Sequence, residues 1–409
     1  MNHLDALETR APEEREAALL ARLPKQVAHA KARCAHFAGS LAQVDAAAVG
    51  SRAALARLPV VRKHQLLALQ QARPPFGGLA ATPLTSLGRV FSSPGPIYDP
   101  EGAGADWWRF ARSLYAAGFR AGDLVHNTFA YHFTPAGFML DGAARRLGCC
   151  VFPAGVGQTE MQARTIADLK PAGYTGTPSF LKIILEKADE MGADVSCLKK
   201  AVVSGEAFFP AQKQLCAERG IAAYQAYATA DLGLIAYETE ARQGLVLEEE
   251  LILEIVRPGS GDPVAEGEVG EVVVTSLNPD YPLIRFGTGD LSAVLPGSSP
   301  CGRTNVRIKG WLGRADQTTK VKGMFVHPEQ VDAVVKRHPE VRRARLVVTN
   351  DGGNDLMTLH CEAPVDAALA QAVADSLRDV TKLRGEVVFV APGALADDGK
   401  VIDDARKYD

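Results

Sequence analysis

Apolar positions recur along this chain at two different periods, and the change from one to the other divides it. Up to about Leu58 the sequence is charged and alanine-rich, with Leu19, Leu20 and Leu23 at helical spacing, which predicts two or three amphipathic helices. LPVVRKHQLLAL (58–69) predicts a turn and a helix, and RPPFGGLAATPL (73–84) a Pro/Gly-rich loop. From Leu84 to about Val203, β-rich runs at 88–93, 122–129, 148–154, 172–178 and 199–205 alternate with helical patterns near 105–118, 136–147, 159–169, 179–191 and 210–219. Such alternation predicts an α/β fold with layered sheets and parallel strands, whose ligands gather at the carboxyl ends of the strands. After Ala236 the period becomes that of strands: 245–256, 267–277 and 280–286 read as a β subdomain, with turns at 259–263 and 278–280. Past Gly313 a strand, a helix (328–338), strands (342–349, 356–362), a helix (365–382) and a strand (386–390) predict a small α+β unit. We therefore expect a large domain over 1–312 and a small mobile one over 313–409.

Composition narrows the field by exclusion. The chain has 409 residues, 47% of them apolar and 23% charged, with a net charge of −3. That length exceeds one ordinary core. Lys and Arg form no long block, so no nucleic-acid surface is signalled. The acidic opening MNHLDALETRAPEERE and the absence of a long apolar run predict neither a signal peptide nor a membrane partner, hence a cytoplasmic protein. Seven scattered cysteines do not form a disulfide framework or a zinc pattern.

The chemistry is concentrated in glycine-flanked strand ends. In YPLIRFGTGD (281–290), a carboxylate at Asp290 can accept from both hydroxyls of a ribose, and in GRADQTTKVKG (313–323) the fork of Arg314 suits a phosphate. FSSPGPIYDPEG (91–102) offers Ser92, Ser93 and the backbone of Gly95 to phosphate oxygens, although Pro94 and Pro96 remove two donors. VVSGEAF (202–208) ends a strand with Ser204, Gly205 and Glu206, where a flat base can approach closely. In YQAYATADLG (224–233), Tyr227 can stack on a purine and Asp231 can reach Mg2+. AYHFTPAG (130–137) places Tyr131, His132 and Phe133 after a strand, and with the small residues Gly137, Ala226 and Ala228 it allows a slot for a planar acid. Each feature alone has a plain alternative, as a helix start at TPSFL (177–181), a core tyrosine or a solvated lysine at Lys400.

Their order is more specific than any member. The series of Ser-rich loop, aromatic segment, TPS, SGE, YATAD, TGD, GRAD and terminal GK, together with LPVVRKHQL (58–66), resembles the AMP-forming acyl- and aryl-CoA ligases. The closest likeness is to their phenylacetate-CoA ligase branch. The resemblance implies activation of a carboxylic acid, an aromatic one by the likeness, with ATP and Mg2+ to an acyl-adenylate, then transfer to CoA. It also implies a small domain that rotates about Asp316, Lys400 as the adenylation lysine, Thr229 among the phosphate contacts and Asp231 as the metal ligand. This sequence departs from that pattern at the phosphate loop, which lacks the Thr-Thr-Gly-Lys part of SSGTTGKP, and at Asp231, where the family has glutamate. Three readings stay open at this stage: a CoA ligase, an adenylating enzyme with another acceptor, and a non-catalytic binding relative. A homodimer is also left open.

Overall fold

The computed structural model describes residues 3–93, 96–315, 317, 319–321, 324–351 and 354–406. They form two compact units. The first comprises 1–253, 274–286 and 295–311, and the second 254–273, 287–294 and 312–409. The boundary expected at 312 thus coincides with only the last of the second unit's segments.

In the first unit the alternating pattern folds as its periods require. The strands Cys150–Pro153, Leu124–Asn127, Gly173–Gly176, Lys200–Val203 and Ala222–Thr229 lie side by side in that order and run parallel. Gly233–Glu238 and Leu245–Leu247 extend the sheet antiparallel. The connecting helices begin and end where local chemistry dictates. Pro178–Met191 opens with a proline and with the Thr177 hydroxyl accepting from the Phe180 N–H at 3.3 Å, and it stops at Gly192 with φ +63. Its buried stripe of Leu181, Ile184, Leu185 and Ala188 packs with Ala201 and Val203 of the sheet. A second core joins Phe91, Trp108, Phe119 and Tyr237.

Four expectations are corrected. The run 88–93 does not enter the parallel sheet; Arg89–Ser93 pairs antiparallel with Ile97–Glu101 as a separate hairpin. The helix near 105–118 shrinks to Ala111–Ala116, because Asp106 and Arg109 adopt left-handed φ values of +52 and +66. The run 245–256 splits into Leu245–Leu247 and Leu251–Val256, which belong to different sheets. The strand placed at 280–286 begins only at Phe286 and continues to Ser292. The Asn278 side chain accepts from the Asp280 N–H at 2.8 Å to close a turn, and Arg285 has φ +48.

The second unit carries a sheet in the order Glu386–Val390, Asn354–Glu362, Arg343–Asp351 and Ile402–Asp404. Helices Pro328–Lys336 and Ala367–Thr381 bury Val331, Val334, Val373 and Leu377 against Leu346, Val348 and Leu359. Among the described residues, no helix is long and apolar enough to cross a membrane.

Candidate active site

The residues singled out in the sequence fall into both units. Those of the first unit collect at the carboxyl ends of its parallel strands and on the hairpin 89–101. Lys200–Val203 delivers Ser204, whose hydroxyl donates to the Ala226 carbonyl at 2.7 Å, and then Gly205 at φ +86, a conformation glycine adopts without strain. The exposed Glu206 carboxylate accepts from the Ser179 N–H at 2.6 Å and so serves the start of the helix Pro178–Met191. Tyr227 and Thr229, both half-buried, lie in the strand Ala222–Thr229. The Thr229 oxygen accepts from the Leu232 N–H at 3.1 Å and closes the turn that holds Asp231.

Asp231 is the best-buried charge of this group. Its side chain is 0% exposed, and its Oδ2 pairs with Lys63 Nζ at 2.8 Å. The Asp99 carboxyl lies within hydrogen-bonding reach of Asp231 and accepts from the Ser93 hydroxyl at 2.5 Å. Burial, and then the Asp231 charge, push the Asp99 carboxyl up to about 7, against the Ser93 hydrogen bond and the Lys63 charge. Tyr281 stands near both carboxylates, and burial followed by their charges holds its phenol well above the ordinary range. Ser93 is therefore bound to an acidic partner rather than left open to phosphate. Ser92, its neighbour, donates its N–H to the Phe133 carbonyl. Gly95 lies outside the described residues.

The aromatic segment is only partly what its sequence promised. Tyr131, His132 and Phe133 line an open basin of about 450 Å³ together with Arg89, Phe91, Ser92, Tyr98 and Phe138. Phe133 is 76% exposed at φ +62, a strained conformation for a bulky side chain. Tyr131 is held by Asn127, which donates to its oxygen at 2.7 Å, and burial followed by the Asp141 charge raises its phenol. Gly137, Ala226 and Ala228 do not line the basin. Ala226 is in the core, Ala228 packs against it, and Gly137 is required because a Cβ there would run into the Ala130 carbonyl.

In the second unit, Asp290 is not at a strand end but inside Phe286–Ser292, nearly buried, with its carboxylate on Arg314 Nη1 at 3.0 Å. Leu291 and Ala315 bond through their backbones to Gly313 and Gly289, which fixes the two segments side by side. Lys400 is exposed just before the strand Ile402–Asp404. Its Nζ reaches Asp403 at 2.9 Å, and its carbonyl accepts from Arg345 Nε at 3.1 Å. Asp316, read as the hinge, lies outside the described residues.

Lys63, Asp99 and Tyr281 escaped the sequence reading, although all three stand inside quoted runs. A lysine two residues after a short apolar run, or an Asp flanked by Tyr and Pro, carries no spacing signal. Only the fold brings them to Asp231.

No family model matches the chain. Against individual proteins the result is different. The phenylacetate-coenzyme A ligase of Thermus thermophilus is 33% identical over 380 residues, 88% of this chain and 84% of that protein. The chain belongs to the phenylacetate-CoA ligase family. The ligase of that name from Aromatoleum evansii is 31% identical over 89% of this chain and 85% of its own length. The family fold is seen in a solved 2-hydroxyisobutyryl-CoA ligase in the postadenylation state with its acyl-AMP. It superposes with a TM-score of 0.73 at 26% identity, covering 98% of this chain and 91% of that one. The same enzyme with acyl-AMP and CoA in the thioesterification state gives a TM-score of 0.72 over 100% and 93%.

Magnesium suits the donor set at Asp231. Its Oδ1 is buried and has no hydrogen-bond partner among the described residues, and a lone carboxylate oxygen is what a hard cation takes. No group of three or more His, Cys, Asp or Glu side chains is arranged for a metal among the described residues. An ion held at Asp231 would need further oxygen ligands beyond that carboxylate.

Proposed function

We infer that this protein activates a carboxylic acid with ATP to an acyl-adenylate, releasing pyrophosphate, and passes the acyl group to CoA, with release of AMP. The observation that carries this reading is a full-length likeness to an acid-CoA ligase solved with acyl-AMP and CoA, joined to 33% identity with a phenylacetate-coenzyme A ligase. The substrate class is a small carboxylic acid, and the aromatic lining of the basin at Tyr131 and Phe138 favours an aromatic one.

The chain's own residues take the following roles. Lys400 supplies the cation that meets carboxylate and α-phosphate, since its side chain is exposed on a loop and held, among the described residues, by a surface ion pair. Tyr227, with Ser204, Gly205 and Glu206, receives the adenine. Thr229, Ser92, Ser93 and Gly95 address the phosphates, Asp290 and Arg314 the ribose and phosphate, and Asp316 is the hinge. Asp231 holds Mg2+, which when bound neutralises phosphate charge. The location is cytoplasmic.

A second reading has one observation in its favour: the strands that flank the phosphate-loop segment pair as a hairpin, and the Ser93 hydroxyl is occupied by Asp99. That observation favours a relative that binds nucleotide without adenylating. Pyrophosphate release from Mg·ATP across a panel of aromatic and short aliphatic acids, with and without CoA, separates the two. Release with one acid and AMP formation dependent on CoA support the ligase. Silence across the panel in a protein that still binds ATP supports the second reading.

A further inference from the structure

The loop that carries Lys400 is fastened by one side chain from the run GRADQ (313–317). Half-buried Gln317 uses both ends of its amide there. Its Nε2 donates to the Gly399 carbonyl at 3.0 Å, while its Oε1 accepts from the N–H of Val401 at 2.5 Å and from that of Ile402 at 2.7 Å. Lys400 therefore sits within a stretch, 399–402, whose other three members all bond to Gln317. Its own backbone has separate partners: the N–H donates to Asp398 Oδ1 at 3.0 Å, and the carbonyl accepts from Arg345 Nε at 3.1 Å. Gly399 is packed closely as well, since a Cβ there would come within 2.9 Å of Val269 and 3.2 Å of Leu291. All these residues belong to the second unit.

The lysine side chain is held quite differently. Its ion pair with Asp403 is 47% exposed on the lysine side and 32% on the other, and a pair so open to water contributes little. A fixed base and a free ammonium suit a cation that must reach one place, because small errors of placement cost rate steeply. The stretch presents one carbonyl and two N–H groups to Gln317, a set that an amide can match and a carboxylate cannot. At the start of the same run, Arg314 Nη1 meets Asp290 at 3.0 Å, and the Ala315 N–H donates to the Gly289 carbonyl at 2.7 Å. Residues 313–317 thus join the strand of Asp290 to the loop of Lys400.

We propose that Gln317 is a positioning residue for Lys400, its amide fixing the backbone of 399–402 from which the lysine reaches the reacting groups. The effect on rate rests on the adenylation role given to Lys400 above, whereas the hold on the loop does not.

The experiment compares full-length wild type with Gln317→Met, which keeps the side-chain length and removes all three bonds. With the acid that the panel above selects, pyrophosphate release in a single turnover should slow about 10- to 100-fold, with KM for ATP and acid and thioester formation from supplied adenylate nearly unchanged. In a Lys400→Ala background the same substitution should add no more than about twofold, because Gln317 acts through that lysine. Equal slowing in both backgrounds is the mark of a merely structural role and overturns the proposal, as does wild-type adenylation in Gln317→Met. Hydrogen exchange over 399–404, measured without ligands, should be about tenfold faster in Gln317→Met, and unchanged exchange also overturns it. Should Gln317→Met fail to fold, Gln317→Glu decides, since it keeps the acceptor and loses the donor: several-fold slower adenylation with faster exchange supports the positioning role, and wild-type values overturn it. A Lys400→Ala protein that adenylates like wild type, with exchange still faster in Gln317→Met, refutes the role of Lys400 and leaves the hold on its loop standing.

Discussion

Replacing Lys63 by methionine removes the ammonium that pairs with Asp231, and the structure sets the size of the response. At 2.8 Å an ion pair is worth about 6 kcal/mol with the effective dielectric of about 20 that reproduces protein measurements, before desolvation is counted. Asp231 is fully buried and Lys63 is 28% exposed, so the pair is screened only from one side. Removing one member of a buried pair typically costs about 3–5 kcal/mol, because the other is left charged in a poor solvent. Here the penalty is aggravated by Asp99, whose carboxyl already repels Asp231. We expect Lys63→Met to lose about 3 kcal/mol or more of unfolding free energy for the first unit at pH 8. Urea denaturation followed by tryptophan fluorescence measures it, since all three tryptophans lie in that unit. Asp231→Asn should cost less, and the double variant should recover part of the loss, with a coupling of about 2 kcal/mol between the two sites. A single variant within 1 kcal/mol of wild type, or a coupling near zero, would refute the claim that Lys63 neutralises Asp231.

Three further outcomes are expected. Lys400→Ala should slow acyl-adenylate formation by about 100-fold or more while leaving thioester formation from supplied adenylate and overall stability nearly unchanged, because its contact with Asp403 is an exposed ion pair. Equal loss in both half-reactions would remove it from adenylation. Tyr227→Ala should weaken ATP binding by about 1–3 kcal/mol, the range for an aromatic ring under a base, without changing acid affinity in calorimetry. Asp106 should make stability fall with pH. Burial raises its carboxyl to about 7 from 3.8, so the folded state holds the proton more tightly and its contribution is lost as pH rises through that window. The rise corresponds to roughly 4 kcal/mol at most. Asp106→Asn, which can still accept from the Ala111 N–H, should be more stable than wild type at pH 8 and nearly equal at pH 4 in denaturant titrations.

The parallel strands and their helices were legible because each is decided by local periodicity: Pro178–Met191 announces itself by Thr177, Pro178 and a four-residue apolar stripe. Boundaries failed where one backbone angle overrules the pattern. Arg285 at φ +48 ends an otherwise good β run, and Asp106 and Arg109 shorten a helix in the same way. Ser204, Tyr227 and Lys400 were proposed from motif order, because strand-end loops keep their sequence neighbours. The pairing of Asp290 with Arg314 was not visible, because 24 residues separate them and only a backbone bridge aligns them. Still less visible was the set of Lys63, Asp99, Asp231 and Tyr281, drawn from four segments that no spacing rule connects.

That set also changes how the altered phosphate loop should be understood. Arg89–Ser93 and Ile97–Glu101 are paired in full register, Ser93 opposite Ile97 and Ser92 opposite Tyr98, which commits both serines to a hairpin. The same pairing carries Asp99 inward, opposite Phe91, and sets its carboxyl against Asp231. The second buried carboxylate beside Asp231 is thus a consequence of that register. Ser93 links the hairpin to that carboxylate, because its hydroxyl can turn toward a phosphate only when Asp99 finds another partner.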